Sequence, residues 1–504
     1  MATHTKDVRG LARSSTLNLF GGAATAVLTL GLTFVFTRGL GAGPAGVLFS
    51  SVALFQVVAA VAGLGAETGL VRFVAARRTD ESIGLSGHRL WKIAFVPVLL
   101  FGVLVATGML LAAGPIGASI GGPNYGADAA ASLRIMSLFL PLAALSAALL
   151  GATRGYRTMR PTVVIDRVAR PLFQVVVAWI TTSLGAPMAI TALGWASAYV
   201  GQMLFAWLWL ENLEKNEPLT ESVTPLREAI RTFWRFTLPR AAATSMRTAL
   251  QWFDVVLVAA LSTPEDAAVY TVCTRLLQLG MLAAFSVGQA VEPLFGESVA
   301  ARESARTSEL YKVATAWLML MTWPIYFVLA AFAAPVLSVF GSGFASGETA
   351  VLVLVVSVLI GAAVGPADIL LVMTGRTMWS LWNTAASLAA NLALNIVLIP
   401  RLGLIGAAVA WTVGRTVANL LPAIQLWRSE EMHPLSRGWA LAAGLSVGIF
   451  AVPSFAARFA LGPSLLLAVG ASALLTAGFL VAVRRFREPL ALDLAVSALR
   501  RRIS

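Results

Sequence analysis

The chain has 504 residues, of which 58% are hydrophobic and only 12% charged, and it carries a formal net charge of +13. A soluble chain of this length would hold about 25% charged residues and divide into roughly three domains, so that class is excluded. One cysteine, Cys273, excludes an intramolecular disulfide and a multi-cysteine metal site, and His4, His88 and His433 all fall in polar segments.

Apolar runs of about 20 residues recur along the chain, each long enough to cross a hydrocarbon core of about 30 Å as a helix. They are continuous rather than alternating and too long for barrel strands. The sequence therefore predicts an all-α polytopic membrane protein. Its excess of arginine fits cytoplasmic membrane edges, where topology and anionic lipid favour cations, better than nucleic acid.

The basic N-terminus MATHTKDVRGLARSS leads into a long apolar stretch without a small-x-small cleavage site, and reads as an uncleaved first span. Fourteen spans follow from the pattern: 14–37, 46–72, 92–113, 131–153, 161–183, 188–210, 236–261, 267–292, 310–334, 349–373, 379–400, 403–427, 437–457 and 463–484. With the N-terminus inside, inner segments collect about 28 of the 37 basic residues. Outer loops hold Arg38, Arg134, Arg401 and Arg458. That asymmetry predicts an even number of spans and cytoplasmic termini. The longest outer loop is GPIGASIGGPNYGADAA, residues 114–130.

The tripeptide Arg-Thr-Met occurs at Arg157 and again at Arg376, each between the fourth and fifth span of a six-span block. LGAGPAGVLFSS after span one parallels LSTPEDAAVYTV after span seven, and LGAPMAITALGWA parallels LGLIGAAVAWT. The order suggests duplication, with chance similarity among helical hairpins as the alternative. Two six-helix lobes in parallel pseudo-repeat are expected. The divisions are an N-terminal lobe, 1–210; a cytoplasmic linker helix, 211–235, starting near Thr224 and Pro225; a C-terminal lobe, 236–428; an extra helix pair, 429–484; and a basic amphipathic tail, 485–504.

Charge within a membrane helix is costly and normally faces a cavity or a partner. In span seven, Arg240, Thr244, Arg247, Gln251 and Asp254 share one helical face. Arg247 lies roughly 16 Å from the inner edge at 1.5 Å per residue, and this stripe is expected to line a wet cavity between the lobes. Asp166, Arg170 and Gln174 follow steps of four in span five, with Pro171 expected to bend it; Asp166 and Arg170 either serve that cavity or pair with each other. Span eight offers Arg275 and Gln278, span twelve Arg415, and span eleven Asn383, Ser387, Asn391 and Asn395, the last four read as interhelical glue before a ligand site.

The surplus of embedded arginine points to an anionic ligand, since a guanidinium binds phosphate through paired hydrogen bonds. Arg275 and Arg415 are also candidate structural partners for Asp254 and Asp368. Asp254, Glu67 and Asp368 are the candidate coupling or cavity carboxylates, with proton or sodium coupling left open and no cofactor or metal expected.

The stretch NLALNIVLIPRLGLIGAAVAWTV resembles the C-terminal signature of polysaccharide-biosynthesis flippases of the multidrug/oligosaccharidyl-lipid/polysaccharide exporter superfamily. The likeness lies in Leu394, Asn395, Leu398, Ile399, Pro400, Gly403, Gly406, Ala407 and Ala408. GLGAGPAGVLFSSVALFQ, GLGAETGLVRFVA and WFDVVLVAALSTPEDAAVYTV resemble the same family, and the likeness covers residues 8–430. It implies two helical bundles around a cavity, alternating access, and a lipid-linked sugar whose diphosphate enters a cationic lumen. Related lipid II flippases place cavity arginines on the first span of each lobe. Here span one offers Asn18, Thr25 and Thr29, with Arg13 at its mouth, a departure that favours the O-antigen or exopolysaccharide branch.

The expected function is therefore a flippase for a polyprenyl-diphosphate-linked oligosaccharide in the plasma membrane. Its expected partners are membrane lipids, the glycan substrate, and polymerase and glycosyltransferases, with no nucleic acid. A lipid II flippase and a cation-coupled multidrug antiporter are the alternatives within transport. A membrane glycosyltransferase or ligase would need a larger aqueous domain than these loops provide.

Overall fold

The computed structural model describes residues 2–79, 87–215 and 225–485. Among them every regular element is helical. The chain separates into two compact units, Met1–Thr271 and Val272–Ser504.

In the first unit the helices are α1 (Ala2–Leu40), α2 (Ala42–Ala62), α3 (Ala66–Thr79), α4 (Gly87–Ser137), α5 (Leu140–Gly155), α6 (Arg170–Ser183), α7 (Met188–Glu214) and α8 (Leu226–Leu261). Helix α9 (Pro264–Ala300) crosses into the second unit. There it is followed by α10 (Ser304–Ala331), α11 (Ala333–Ser338), α12 (Glu348–Val364), α13 (Ala367–Met373), α14 (Thr377–Leu402), α15 (Leu404–Glu430), α16 (Arg437–Ser446), α17 (Val452–Leu461) and α18 (Leu465–Arg485).

Ten helical segments among the described residues are long and apolar enough to cross a membrane, and Leu140–Gly155 and Leu465–Val481 are shorter apolar helices. Large apolar side chains also point outward, as Leu100, Leu104 and Leu111 do along α4. Water would penalise that arrangement, whereas lipid chains are as apolar as leucine. This is a multi-span membrane protein.

Several expected boundaries are corrected. The segment 114–130 is helical on both sides of Gly122, where φ 59° and ψ −161° reverse the chain. A Cβ on Gly117 would lie 2.5 Å from the Ala130 nitrogen, so the two limbs meet backbone to backbone. The small residues that resemble loop composition are what permits that approach.

Span two is interrupted at residues 63–65, between α2 and α3, and span ten between α12 and α13. Past Pro225, the later part of the linker segment and span seven form one helix, α8, with Pro239 inside it. Residues 216–224 of the linker and 486–504 of the tail lie outside the described residues.

Two wide helical turns precede prolines. Residues Thr162–Ala169 form a π-helix before Pro171, and the Arg170 N–H donates to the Ile165 carbonyl five residues back. Val447–Ala451 does the same before Pro453. A proline ring collides with the carbonyl four residues earlier and has no N–H to give it; widening the turn relieves both problems. The Arg167 carbonyl, four residues before Pro171, receives the Thr25 hydroxyl of α1 at 3.1 Å.

Helix α3 is pressed between α5 and α8. A Cβ on Gly151 would lie 2.5 Å from the Glu67 carbonyl oxygen, and one on Gly155 would lie 2.5 Å from the Val74 side chain. This four-residue glycine spacing lets α5 sit directly on α3 and brings Arg154 onto Glu67. Both Arg-Thr-Met tripeptides fall at helix-connecting turns, Arg157 after α5 and Arg376 immediately before α14.

Candidate functional site

A cavity of about 290 Å³ lies inside the first unit, walled by α2, α3, α5, α7, α8 and the π-helical turn before α6. Polar groups reach it from facing walls: Gln56, Glu67, Asp166 with Arg170, Gln202 and Gln251. Tyr199 and Trp252 supply aromatic surface.

At the centre is an ion pair. Asp166 Oδ1 accepts from Arg170 Nη2 at 2.9 Å and from Arg170 Nε at 3.2 Å. The Arg170 guanidinium also lies 5.3 Å from the Tyr199 ring centroid and reaches Gln174 Oε1 at 3.4 Å. Gln174 in turn donates to the Trp195 carbonyl at 3.2 Å. The four-residue spacing supplies the pair, and cation–π contact with α7 fixes the guanidinium in place. Of the two readings open for Asp166 and Arg170, direct pairing is observed, at the wall of a cavity.

Gln202 completes the network by donating its amide nitrogen to the same Asp166 Oδ1 at 3.0 Å. A carboxylate can only accept, which fixes the amide's orientation. The Gln202 Oε1 oxygen is left buried without a hydrogen-bond partner. At the α3–α5 contact, Arg154 pairs with Glu67, which is half-exposed toward the cavity.

The stripe of α8 divides. Thr244 and Gln251 line this cavity, joined by Thr248 and Trp252. Arg240 and Arg247 are exposed and are not among the described lining residues. Asp254 is buried and accepts from the Tyr270 hydroxyl at 3.2 Å. The side chain of Asn18 lies outside the described residues.

In the second unit, Arg275 is buried and donates to Gln278 Oε1 at 2.8 Å. Arg415 is exposed, its guanidinium 6.0 Å from the Trp411 ring centroid, and Asp368 is exposed at the start of α13. The asparagine stripe of α14 faces α15. Asn383 and Gln425 exchange two hydrogen bonds, at 2.7 and 2.9 Å, and Ser387 donates to the Gly414 carbonyl at 2.8 Å. Asn395 donates to Asn391 at 3.1 Å. The glue reading holds for Asn383 and Ser387, whose bonds cross to α15, whereas the Asn395–Asn391 bond lies within α14.

Sequence reasoning missed Tyr199, Gln202, Gln56, Thr248 and Trp252. A signal existed for two of them: Tyr199 and Gln202 are three apart on one face of a largely apolar stretch of helix. What it does not contain is the partner across the fold.

A profile of the family described as "Polysaccharide biosynthesis protein" matches residues 11–299, more than half of the chain. The chain belongs to the polysaccharide biosynthesis protein family. A second profile, described as "MatE", matches residues 239–397. Among solved structures, this family member resembles the lipid II flippase MurJ in an inward closed conformation, at 14% identity and TM-score 0.71 over 95% of this chain and 99% of that one. It also resembles an inward-facing multidrug resistance MATE family transporter of the MOP superfamily, at 17% identity and TM-score 0.68 over 81% and 94% of the two chains.

A third likeness is to a MOP superfamily transporter from Pyrococcus furiosus, with 17% identity, TM-score 0.57, and coverage of 84% and 95%. At these identities the likeness is one of fold. No curated protein matches the chain. The chain therefore has the fold seen in these MOP superfamily transporters and in the lipid II flippase.

Proposed function

We propose that the protein flips a polyprenyl-diphosphate-linked oligosaccharide from the inner to the outer leaflet of the plasma membrane by alternating access, with both termini cytoplasmic. The observation that carries this reading is the polar cavity of the first unit, embedded in a membrane bundle that the polysaccharide biosynthesis profile covers. A small drug cation would need a site with surplus negative charge. Here the cavity carboxylates Asp166 and Glu67 are each neutralised by an arginine.

The diphosphate requires cations that are not already committed. Arg247 and Arg415 form no ion pair with a carboxylate among the described residues and are the candidates for that role. Lipid II is the second reading for the substrate, supported by the near-complete coverage of a lipid II flippase structure. The polyprenyl tail would stay in lipid while the glycan crosses through a polar path. A proton or sodium gradient is the proposed source of coupling, and polymerase and glycosyltransferases are the proposed assembly partners.

The test is translocation in reconstituted vesicles, using a fluorescent polyprenyl-diphosphate oligosaccharide and a membrane-impermeant quencher. Wild-type protein should expose the label at the opposite leaflet, and folded Arg247→Glu protein should fall to the rate of protein-free vesicles. A wild-type rate equal to that background contradicts the proposal. Unchanged translocation by Arg247→Glu removes Arg247 from the diphosphate site.

A further inference from the structure

On the wall of the first unit's cavity the Asp166 carboxylate keeps one oxygen free of the hydrogen bonds that hold it. Asp166 Oδ1 takes all three of the hydrogen bonds that this carboxylate receives from Arg170 and Gln202. Its second oxygen, Oδ2, makes none of them, and the side chain remains one-third exposed on the cavity wall. Gln202 is 5% exposed, and its Oε1 is buried without a partner. Leaving a buried carbonyl oxygen unsatisfied costs about 1–3 kcal/mol, a cost accepted here while the amide nitrogen holds Asp166.

Gln251 and Thr248 reach in from α8, and the Trp252 indole and Tyr199 ring provide flat apolar surface. The free Asp166 oxygen disfavours a phosphate, which would bring further acceptors and negative charge. Both carboxylates carry an arginine, so a cation finds no surplus negative charge. The chemistry that fits is neutral and donor-rich, with an apolar face for the aromatic rings. A pyranose ring has that character: hydroxyl donors around its rim and C–H groups on its faces. At about 290 Å³ the space sits at the lower end of small-ligand pockets, roughly 300–1,000 Å³, which suits one ring-sized unit rather than a chain.

We propose that this cavity is a sugar subsite, in which Asp166 Oδ2 accepts a hydroxyl proton of one neutral monosaccharide unit packed against Trp252 or Tyr199, while the Gln202 amide holds the carboxylate in place. Arg170 acts here as a positioning residue that holds Asp166, not as the diphosphate receptor. The inference rests on the reading of the protein as a carrier of lipid-linked glycan, and it assigns the glycan to a place separate from the arginines proposed for the diphosphate.

The experiment uses the full chain in lipid nanodiscs and saturation-transfer NMR with glucose, galactose, mannose and N-acetylglucosamine as probes. At least one should bind saturably, with a Kd on the order of 1–10 mM, as expected for a single ring without its lipid anchor. Gln202→Leu should weaken that binding at least tenfold. Gln251→Leu, at an exposed position outside the Asp166 network, should also weaken it while leaving the melting temperature unchanged, so a folding defect cannot mimic the result.

Binding that survives both substitutions overturns the proposal, as does absence of saturable binding by every sugar in the panel. Displacement of a cavity probe by sodium or inorganic pyrophosphate, with no sugar able to do so, also overturns it and assigns the cavity to an ion. The two readings fail separately: translocation of lipid-linked glycan without sugar binding here sinks this inference alone, and sugar binding without translocation sinks the transport reading alone.

Discussion

Two helical segments, each following an Arg-Thr-Met turn, carry polar stripes at steps of four, and they meet different surroundings. Asp166, Arg170 and Gln174 span the π-turn and α6, and their pair borders a cavity shared with α7 and α8. Asn383, Ser387, Asn391 and Asn395 run along α14, and their hydrogen bonds close against α15 or within the stripe itself. Spacing alone does not separate a site from a seam. The difference lies in the neighbour. Helix α15 presents Gly414, where a Cβ would lie 2.9 Å from the Asn391 Cβ, so the helices meet without a gap. The first stripe faces side chains of mixed length, Gln202, Tyr199 and Gln251, which leave space between them.

The largest expected effect comes from breaking the ion pair. Asp166→Ala leaves the largely buried Arg170 without its carboxylate, and the loss should be about 2 kcal/mol, below the roughly 3–5 kcal/mol of a fully dry pair because Asp166 is one-third exposed. Thermal unfolding in detergent should show the single variant well below the Asp166→Ala/Arg170→Met double variant, which carries no orphaned charge. Translocation by Asp166→Ala should fall at least about tenfold. An equally stable single variant would mean that the pair is solvated and the two stripes are less different than the structure shows.

Next come the glycines that bring helices together. Gly151→Leu should separate α5 from α3, and Gly414→Leu should separate α15 from α14. Each is expected to cost about 1–3 kcal/mol by overpacking, read as a lower melting temperature. The comparison sharpens if Gly151→Leu also weakens sugar binding, because α3 and α5 both contribute to the cavity wall, while Gly414→Leu leaves it unchanged. Equal loss of binding in both variants would tie the second unit's seam to the site.

The smallest effect belongs to the seam. Asn383→Leu should cost about 0.6 kcal/mol, the usual scale for an interhelical hydrogen bond in a membrane bundle, and Asn383→Leu/Gln425→Leu should recover most of that by removing both polar partners. Translocation should change less than about twofold in either. A tenfold transport defect in a stable Asn383→Leu protein would make the seam part of the pathway.

Much of this was legible in the primary structure. Membrane spans follow from apolar runs, and the Asp166–Arg170–Gln174 face follows from its spacing, because helical periodicity is a local property. Residues 114–130 were misread because small residues suit both a loop and a close helix contact, and only the partner limb distinguishes them. Gln202 and Tyr199 were overlooked because two polar groups in an apolar helix have no meaning until Asp166 is seen opposite. Arg247 stands out in sequence by its depth, yet the structure leaves it exposed and lines the cavity with its uncharged neighbours Thr244, Thr248 and Gln251. Depth along a helix is readable from sequence; the direction a helix face takes within the bundle is not.

Cysteine accessibility tests the contrast most directly. The native thiol, Cys273, is buried and is first removed as Cys273→Ala. In that background, Thr248→Cys on the cavity wall and Ser387→Cys in the α14–α15 seam are treated with a small, membrane-impermeant, charged thiol reagent in native vesicles. The account predicts modification of Thr248→Cys and protection of Ser387→Cys. Modification of Ser387→Cys with protection of Thr248→Cys would contradict it.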